Sequence, residues 1–434
     1  MQRYDTYKDS GVKWLGEIPS HWEVNKAKYY LYSKKTIVGK DSANHERLAL
    51  TLNGVIKRQD GDDIGLNPEK LDTYQIVESG NLIFKLIDLE NFKTSRVGLT
   101  PYNGIVSPAY IRLINKGNVN MRFLEYYYLN MWHRKVFNDL GAPGVRSNLS
   151  ANDLLNLCIV LPNVNEQDAI VSYLDTATAK IDAAIAQQQK MIDLLNERKQ
   201  IIINRAVTKG LNPNAKMKDS GVEWIGEVPE EWCFVRLKHL TKIISKGTTP
   251  STIGKEILPN GNIRFLKAEN IVNNSVCENP EFFIDEATHA ILKRSNLQEN
   301  DLLFVIAGAT IGKVAILPKE LTPANTNQAI SFIRLNNPEM AKYIWYVLQS
   351  EITKKYIWLN AVQSAQPNIS MEDLGNIQMP IPDVSIQKET INSIEAKVSP
   401  IENSICNCQK QISLLQERKQ IIINEVVTGK VKVV

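Results

Sequence analysis

The chain repeats itself once. Lys8–Val24, KDSGVKWLGEIPSHWEV, returns at Lys218–Phe234 as KDSGVEWIGEVPEEWCF with 10 of 17 positions identical. Leu194–Gly210, LLNERKQIIINRAVTKG, returns at Leu414–Lys430 as LLQERKQIIINEVVTGK with 12 of 17 identical. Chance would give roughly one match in each window. Weaker echoes lie between: Asn148-Leu-Ser-x-x-Asp-Leu with Asn368-Ile-Ser-x-x-Asp-Leu, and Pro162…Gln167 with Pro382…Gln387. The offset grows from 210 to 220, so the second copy carries about ten more residues in its early loops. So long a period is a domain duplication, not a solenoid, whose repeats span about 20–50 residues. The ends of the two copies agree and the middles differ. That pattern predicts a shared scaffold with two different working surfaces.

Size agrees, since 434 residues exceed one ordinary core. With 43% hydrophobic and 23% charged residues the composition is that of a folded globular chain. No apolar run reaches the roughly 18 residues of a membrane helix, and the start, MQRYDTYKDSGVKW, has no apolar signal core. Five scattered cysteines suit a reducing cytoplasm better than a disulfide framework. The net charge is only +4. Residues 1–165 carry 21 basic and 17 acidic side chains, giving +4, and residues 218–384 carry 16 and 19, giving −3. A protein gripping DNA alone by phosphate neutralisation would show a stronger basic bias, so any DNA reading here is local and a partner supplies much of the grip.

Each middle mixes short β-rich runs, such as Asn81–Lys85 and Asp301–Ile306, with turn clusters such as Asp60-Gly-Asp-Asp and Asn260-Gly-Asn. An aromatic-rich helical stretch follows in each, Met121–Val136 and Met340–Ile357. Beyond that, apolar residues recur at alternating spacings of three and four. The first run is Val171, Leu174, Thr178, Ile181, Ile185, Gln188, Ile192, Leu195 and Ile202; the second is Ile391, Ile394, Val398, Ile401, Ile405, Cys408, Ile412, Leu415 and Ile422. That is a coiled-coil seam on two long helices, each followed by a candidate capping glycine, Gly210 and Gly429. Neither helix can bury its stripe alone. The expected fold is α+β: two similar globular domains, 1–164 and 218–384, with spacer helices 165–209 and 385–428 packed antiparallel about a pseudo-twofold axis. Such helices are rods of ~60 Å. Half-sites on one DNA face repeat every 34–36 Å or so. Two readers on a rigid spacer therefore suit a bipartite duplex site.

These residues resemble the specificity subunit of type I restriction–modification enzymes over essentially the whole chain. The matching motifs are Asp9-Ser-Gly-Val-Lys-Trp-Leu-Gly-Glu-Ile-Pro with Trp22, its repeat at Asp219–Trp232, Gly104-Ile-Val-Ser-Pro-Ala-Tyr, Gln366-Pro-Asn-Ile-Ser and the two ERKQIIIN helix ends. The resemblance implies two target-recognition domains, each reading one half-site of double-stranded DNA. It implies docking of two modification subunits that methylate adenine N6 from S-adenosylmethionine. Motor–nuclease restriction subunits, using ATP and Mg, would join them. None of that chemistry, and no cofactor or metal, is expected on this chain, which by this reading is not itself an enzyme.

Apparent catalytic motifs are better read as structure. Asn279-Pro-Glu-Phe is near an adenine-methyltransferase motif but no glycine-rich strand–turn precedes it. Gly308-Ala-Thr-Ile-Gly-Lys-Val has three residues between its glycines where a P-loop has four. Pro382-Asp383…Glu395-Ala-Lys397 falls on the seam helix, and Cys406 and Cys408 lack partners at zinc spacing. Candidate DNA contacts are the polar, basic positions of the middles. In copy one these are Lys34, Lys35, Asn53, Lys57, Arg58, Lys85, Arg96, Arg146 and Ser147; in copy two, Lys246, Thr248, Thr249, Lys267, Asn270, Lys313, Gln363 and Gln366. The loops 141–147 and 362–367 lead among them. Trp14, Trp22, Trp224 and Trp232 are constant between copies and are expected to pack. Glu197, Arg198, Lys199, Glu417, Arg418 and Lys419 are candidate partner contacts, with pairing between the helices as the alternative. Two rival readings are a self-contained DNA methyltransferase and a coiled-coil adaptor that never touches DNA.

Overall fold

The computed structural model describes residues 2–433 apart from 59–69, 88–94, 141–147, 223 and 362–366. The chain forms two compact units, Met1–Gln189 with Gln409–Val434, and Lys190–Cys408. Each unit thus holds one domain and half of each long helix, so the helices are not separate bodies.

In the first unit, Tyr7–Asp9 pairs antiparallel with Glu17–Pro19, and Glu23–Lys26 pairs with Cys158–Leu161, fastening the start of the domain to its end. The central antiparallel sheet has the order Leu31–Tyr32, Ile111–Asn115, Leu82–Phe84, Val97–Leu99. Leu82, Phe84 and Leu113 pack with Phe123, Tyr127 and Tyr128 of the helix Met121–His133. Phe84 meets Tyr128 edge-on, with ring centroids 5.1 Å apart. Each fully buried Phe or Leu contributes about 1.5–3 kcal/mol. Asn120 caps this helix by accepting hydrogen bonds from the Arg122 and Phe123 amides.

The second unit repeats the plan. Met217–Asp219 pairs with Glu227–Pro229, Cys233–Arg236 with Gln378–Ile381, and the sheet runs Thr241–Lys246, Ile330–Leu335, Leu302–Val305, Val314–Ile316. The middles differ where the sequence differs. The first unit has an antiparallel pair, Gln75–Val77 with Gly104–Val106. The second has three strands, Phe283–Ile284, Ile263–Leu266 and Ala324–Thr326, the last two parallel.

The expected single aromatic helix of each domain is two. Lys135, at φ 59°, breaks the first, and a shorter helix, Val136–Leu140, follows. In the second unit Ser350 lies in extended backbone between Ala341–Leu348 and Glu351–Asn360, its hydroxyl donating to the Val347 carbonyl.

The long helices run Val164–Thr208 and Val384–Val427. In the first unit Ile170 and Leu174 share a core with Ile423, Val426 and Val427. In the second, Ile203, Ala206 and Val207 share one with Ile394 and Val398. Early residues of one helix meet late residues of the other in both units, so the pairing is antiparallel. Ile203 and Ile423 are buried, and their neighbours Ile202 and Ile422, expected in the seam, are half-buried. A strict seven-residue count drifts by about 20° per heptad on a 3.6-residue helix, which accounts for the slip. Gln188 and Cys408 are half-buried. Gly210 and Gly429 close the helices at φ 72° and 73°.

Candidate nucleic-acid interface

Both domains tie an equivalent segment to the end of the same strand. In the first unit, Leu82–Phe84 continues through Leu86, whose carbonyl accepts from the Leu149 amide at 3.2 Å, while Ile87 bridges to Asn148. In the second, Leu302–Val305 continues through Ile306, whose carbonyl accepts from the Ile369 amide at 3.0 Å, and Ala307 bridges to Asn368. The shared Asn-hydrophobic-Ser motif is what makes these joints. Its serines then cap the next helices: Ser150 accepts from the Asp153 amide and Ser370 from that of Asp373. The sites proposed at Arg146, Ser147, Gln363 and Gln366, and the turn at Asp60, lie outside the described residues.

Lys85 and Arg96 sit on this same edge, the Lys85 amide bonding the Arg96 carbonyl at 3.0 Å. Arg96 is buried, and its guanidinium donates to the Ile87 carbonyl at 3.2 Å. It braces the strand end from within. Lys313 occupies the matching edge of the second unit, where its carbonyl accepts from the Val305 amide at 2.9 Å. Beside it lies a cavity of about 560 Å³ bounded by Ile311, Ile357, Trp358 and Pro367.

The other candidates form smaller groups. Asn53 is exposed at the two-residue tip of the hairpin Leu48–Thr51 and Gly54–Lys57. Lys57 lies 5.3 Å from the Tyr102 ring centroid and 3.5 Å from Glu46, and the Arg58 amide donates to the Arg47 carbonyl at 2.8 Å. Arg47 in turn lies over Tyr74 at 5.8 Å. Tyr74, Tyr102 and Arg47 escaped sequence reasoning because residues far apart in the chain assemble this basic-aromatic surface. Lys34 and Lys35 are exposed, and Lys35 donates to the Pro108 carbonyl at 2.8 Å.

In the second unit Lys246 ends its strand exposed. Thr248 and Thr249 follow, the former's amide bonded to the Thr326 carbonyl and the latter's hydroxyl to Gln328 at 2.9 Å. Lys267 sits 3.4 Å from the Phe282 ring centroid. Asn270 is buried, its side-chain amide donating to the Cys277 and Pro280 carbonyls at 3.0 and 2.9 Å. It holds a turn and presents no polar atom outward.

The motif-like stretches find structural roles. Gly308, at φ 90°, opens a turn closed by the Ile311 amide, and Glu395 pairs with Lys342 at 3.1 Å. Asn279 is followed by a cis proline. Trp22 and Trp232 are buried, each against the glycine that ends a long helix: Gly429 meets Trp22 and Pro19, and Gly210 meets Trp232 and Pro229. Trp14 packs on Tyr127 and Trp224 on Tyr356. Of the helix candidates, Lys199 bonds Glu402 and Lys419 bonds Asp182, while Glu197, Arg198, Glu417 and Arg418 are exposed. Among the described residues no cluster of His, Cys, Asp or Glu has the makings of a metal site, and no helix is long and apolar enough to cross a membrane.

The profile of the family described as "Type I restriction modification DNA specificity domain" matches residues 22–192 and 229–405, once per copy. The chain is 26% identical over 381 residues to the type I restriction enzyme MjaVIII specificity subunit of Methanocaldococcus jannaschii, spanning 86% of this chain and 84% of that one. It is 24% identical over 463 residues to the putative type I restriction enzyme MjaX specificity subunit of the same organism, spanning 98% of each. It shares a fold with a solved chain from work on the assembly and conformational transition of the type I R-M system. The TM-score is 0.62 over 95% of this chain and 99% of that one, at 12% identity.

Proposed function

The chain belongs to the family of type I restriction-modification DNA specificity proteins, and from that membership we propose that it reads a two-part site on duplex DNA, one domain to each half-site. It directs modification and restriction subunits that carry the chemistry. The observation that carries the reading is the pair of equivalent joints, Leu86–Ile87 with Asn148–Leu149 and Ile306–Ala307 with Asn368–Ile369, built by one shared motif in two domains whose middle sequences differ. One scaffold presenting two different surfaces reads two different base sequences. The base-reading residues are sought in the loops 141–147 and 362–366 and at Lys85, Lys313, Asn53, Lys57 and Lys246. Lys and Arg here hold phosphates and the shorter polar side chains reach base edges. S-adenosylmethionine, ATP and Mg belong to the partner subunits.

The balance of charge fits this division of labour. A chain of net charge +4 supplies register, and its partners supply much of the affinity. All five cysteines are free thiols, in keeping with residence in the cytoplasm. The test is to map methylated adenines across the genome in cells with and without the chain. A bipartite methylated sequence that vanishes without it and returns with it is expected. An unchanged map, or methyl transfer by the purified chain alone, overturns the proposal.

A further inference from the structure

At the offset of 220 that relates Asn148 to Asn368, residues 134–140, RKVFNDL, correspond to 354–360, KKYIWLN. The third and fourth positions are buried in both domains, as Val136 and Phe137 and as Tyr356 and Ile357. The first two are basic and exposed in both, as Arg134 and Lys135 and as Lys354 and Lys355. The next two change character, from Asn138-Asp139 to Trp358-Leu359. Trp358 is 72% and Leu359 62% exposed, on the helix Glu351–Asn360. The first domain builds the same fold with a polar pair here, so packing does not require the apolar one. An exposed leucine alone is ordinary. A tryptophan left in water forgoes the burial that makes large aromatics valuable to a fold. Trp358 stands between two hollows. On one side is a groove of about 580 Å³ bounded also by Trp224, Lys354, Lys355 and Leu359. On the other is the cavity beside Lys313 and Pro367. The Pro367 carbonyl accepts from the Gly308 amide at 3.0 Å, next to the strand end at Ala307.

We infer that Trp358 is an apolar wedge that stacks on a base of the half-site read by the second domain, with Lys354 and Lys355 on the flanking phosphates. The inference rests on the functional reading above and adds a contact that polarity does not single out. Every base offers a face to an indole, and lysines beside an aromatic hold the backbone while it stacks. Pushed between base pairs of a duplex, such a wedge opens one step, so that step is selected by how readily it unstacks. Lys354 pairs with Glu351 at 2.9 Å, and with Lys355 the face keeps a positive charge. The contrast between the copies selects DNA as the occupant. A modification subunit meeting both domains would meet two like surfaces, and these are unlike. A second copy of this chain, docked about a twofold axis, would set the lysines of one against those of the other. Two half-sites of different sequence differ between the domains as these residues do, while the phosphates that a basic pair would hold are common to both. By this reading the first half-site, faced by Asn138 and Asp139, is not wedged.

The test is DNA binding by the full chain assembled with the modification subunit of its own system. The probe is a duplex carrying the bipartite sequence given by the methylation map, titrated at several salt concentrations. Trp358→Ala is expected to weaken binding roughly 5- to 100-fold, and Trp358→Phe to keep most of the affinity. With the second half-site scrambled, wild type and Trp358→Ala should differ much less; with the first scrambled, the difference should persist. Indole fluorescence should fall on binding in wild type and fall less in Trp358→Phe. Lys354→Ala with Lys355→Ala should lower the slope of log affinity against log salt by about two. Circular dichroism is expected unchanged, because all three side chains are exposed. Trp358→Ala complexes that assemble and bind the duplex as wild type does overturn the wedge while leaving the functional reading intact. A loss that follows the first half-site, or a loss of the modification subunit instead of DNA, overturns the choice of occupant. A wild-type complex that discriminates neither half-site overturns both.

Discussion

Lys419 holds both carboxylate oxygens of Asp182 at 2.7 Å within the first unit. The same contact, with each residue displaced by 220, is made within the second unit by Lys199 and Glu402. One ion pair is thus built twice, and it ties the two helices at the same turn of each copy. Lys199 and Lys419, both candidate partner contacts, thus each hold a carboxylate of the opposite helix, as the alternative of pairing between the helices describes. The pair is partly exposed, so Lys419→Glu should cost only about 0.5–1 kcal/mol. Adding Asp182→Lys should restore most of the loss in a double-mutant cycle of thermal unfolding. A double variant no better than the single ones would show that the contact is incidental.

Glu166, in the first turn of the long helix, is buried and accepts from the Tyr4 hydroxyl at 2.6 Å and the Trp22 indole at 3.0 Å, with His21 at 2.9 Å. Residue 386, at the 220 offset in the second copy, is isoleucine, so this cluster belongs to the first unit alone. Glu166→Ala should destabilise that unit by about 3 kcal/mol, because buried donors lose a charged acceptor. Burial first, and Glu166 next, push the Tyr4 hydroxyl well above its ordinary value of 10. The folded state then keeps a proton that the unfolded state releases. Stability from this source is full below pH 10 and falls as pH rises beyond it. Urea unfolding followed by tryptophan fluorescence, at pH 8 and above 10, checks both statements.

Gly429 and Gly11 share a left-handed backbone, at φ 73° and 67°. A methyl group at Gly11 meets open space, whereas at Gly429 it would overlap the Pro19 ring. Gly11→Ala should cost about 1–2 kcal/mol for the backbone alone. Gly429→Ala should cost at least about 1 kcal/mol more, since the Pro19–Trp22 contact must also shift. Equal losses in thermal unfolding would contradict the docking of the helix end on the domain.

Ser150 and Asp153 form a reciprocal cap next to the joint of Leu149 with Leu86. The Ser150 hydroxyl, and then its amide, hold the Asp153 carboxyl below the usual carboxylate range. In Ser150→Ala that pKa should move up toward the ordinary value, as read by NMR titration, and stability should fall by about 1 kcal/mol. The cap's contribution is present above pH 4 or so and disappears as pH drops through the lowered pKa. An unmoved Asp153 pKa would remove the serine from the joint.

Much of this was legible in the sequence because the repeat exposes itself. The long helices, their antiparallel seam and the central strands at Leu82–Phe84 and Leu302–Val305 follow from periodicity, which burial enforces over many residues. Breaks were harder to read. Lys135 in a left-handed conformation and Ser350 between two helices depend on packing that no local pattern encodes. The seam's slip from Ile202 to Ile203 is a cumulative angle, invisible in any single heptad. Polarity alone does not tell surface from interior: the candidates Arg96 and Asn270 are buried and donate to backbone carbonyls inside their domains. The basic-aromatic surface of Arg47, Lys57, Tyr74 and Tyr102 needs the folded chain to bring it together.

The central claim is that unlike middles on a common scaffold read unlike half-sites. The direct measurement is to replace residues 1–164 with the corresponding domain of another member of the family and sequence the methylated sites. The account predicts that one half of the methylated sequence changes while the other half, read by residues 218–384, stays as it was. A site altered in both halves, or in neither, would contradict it.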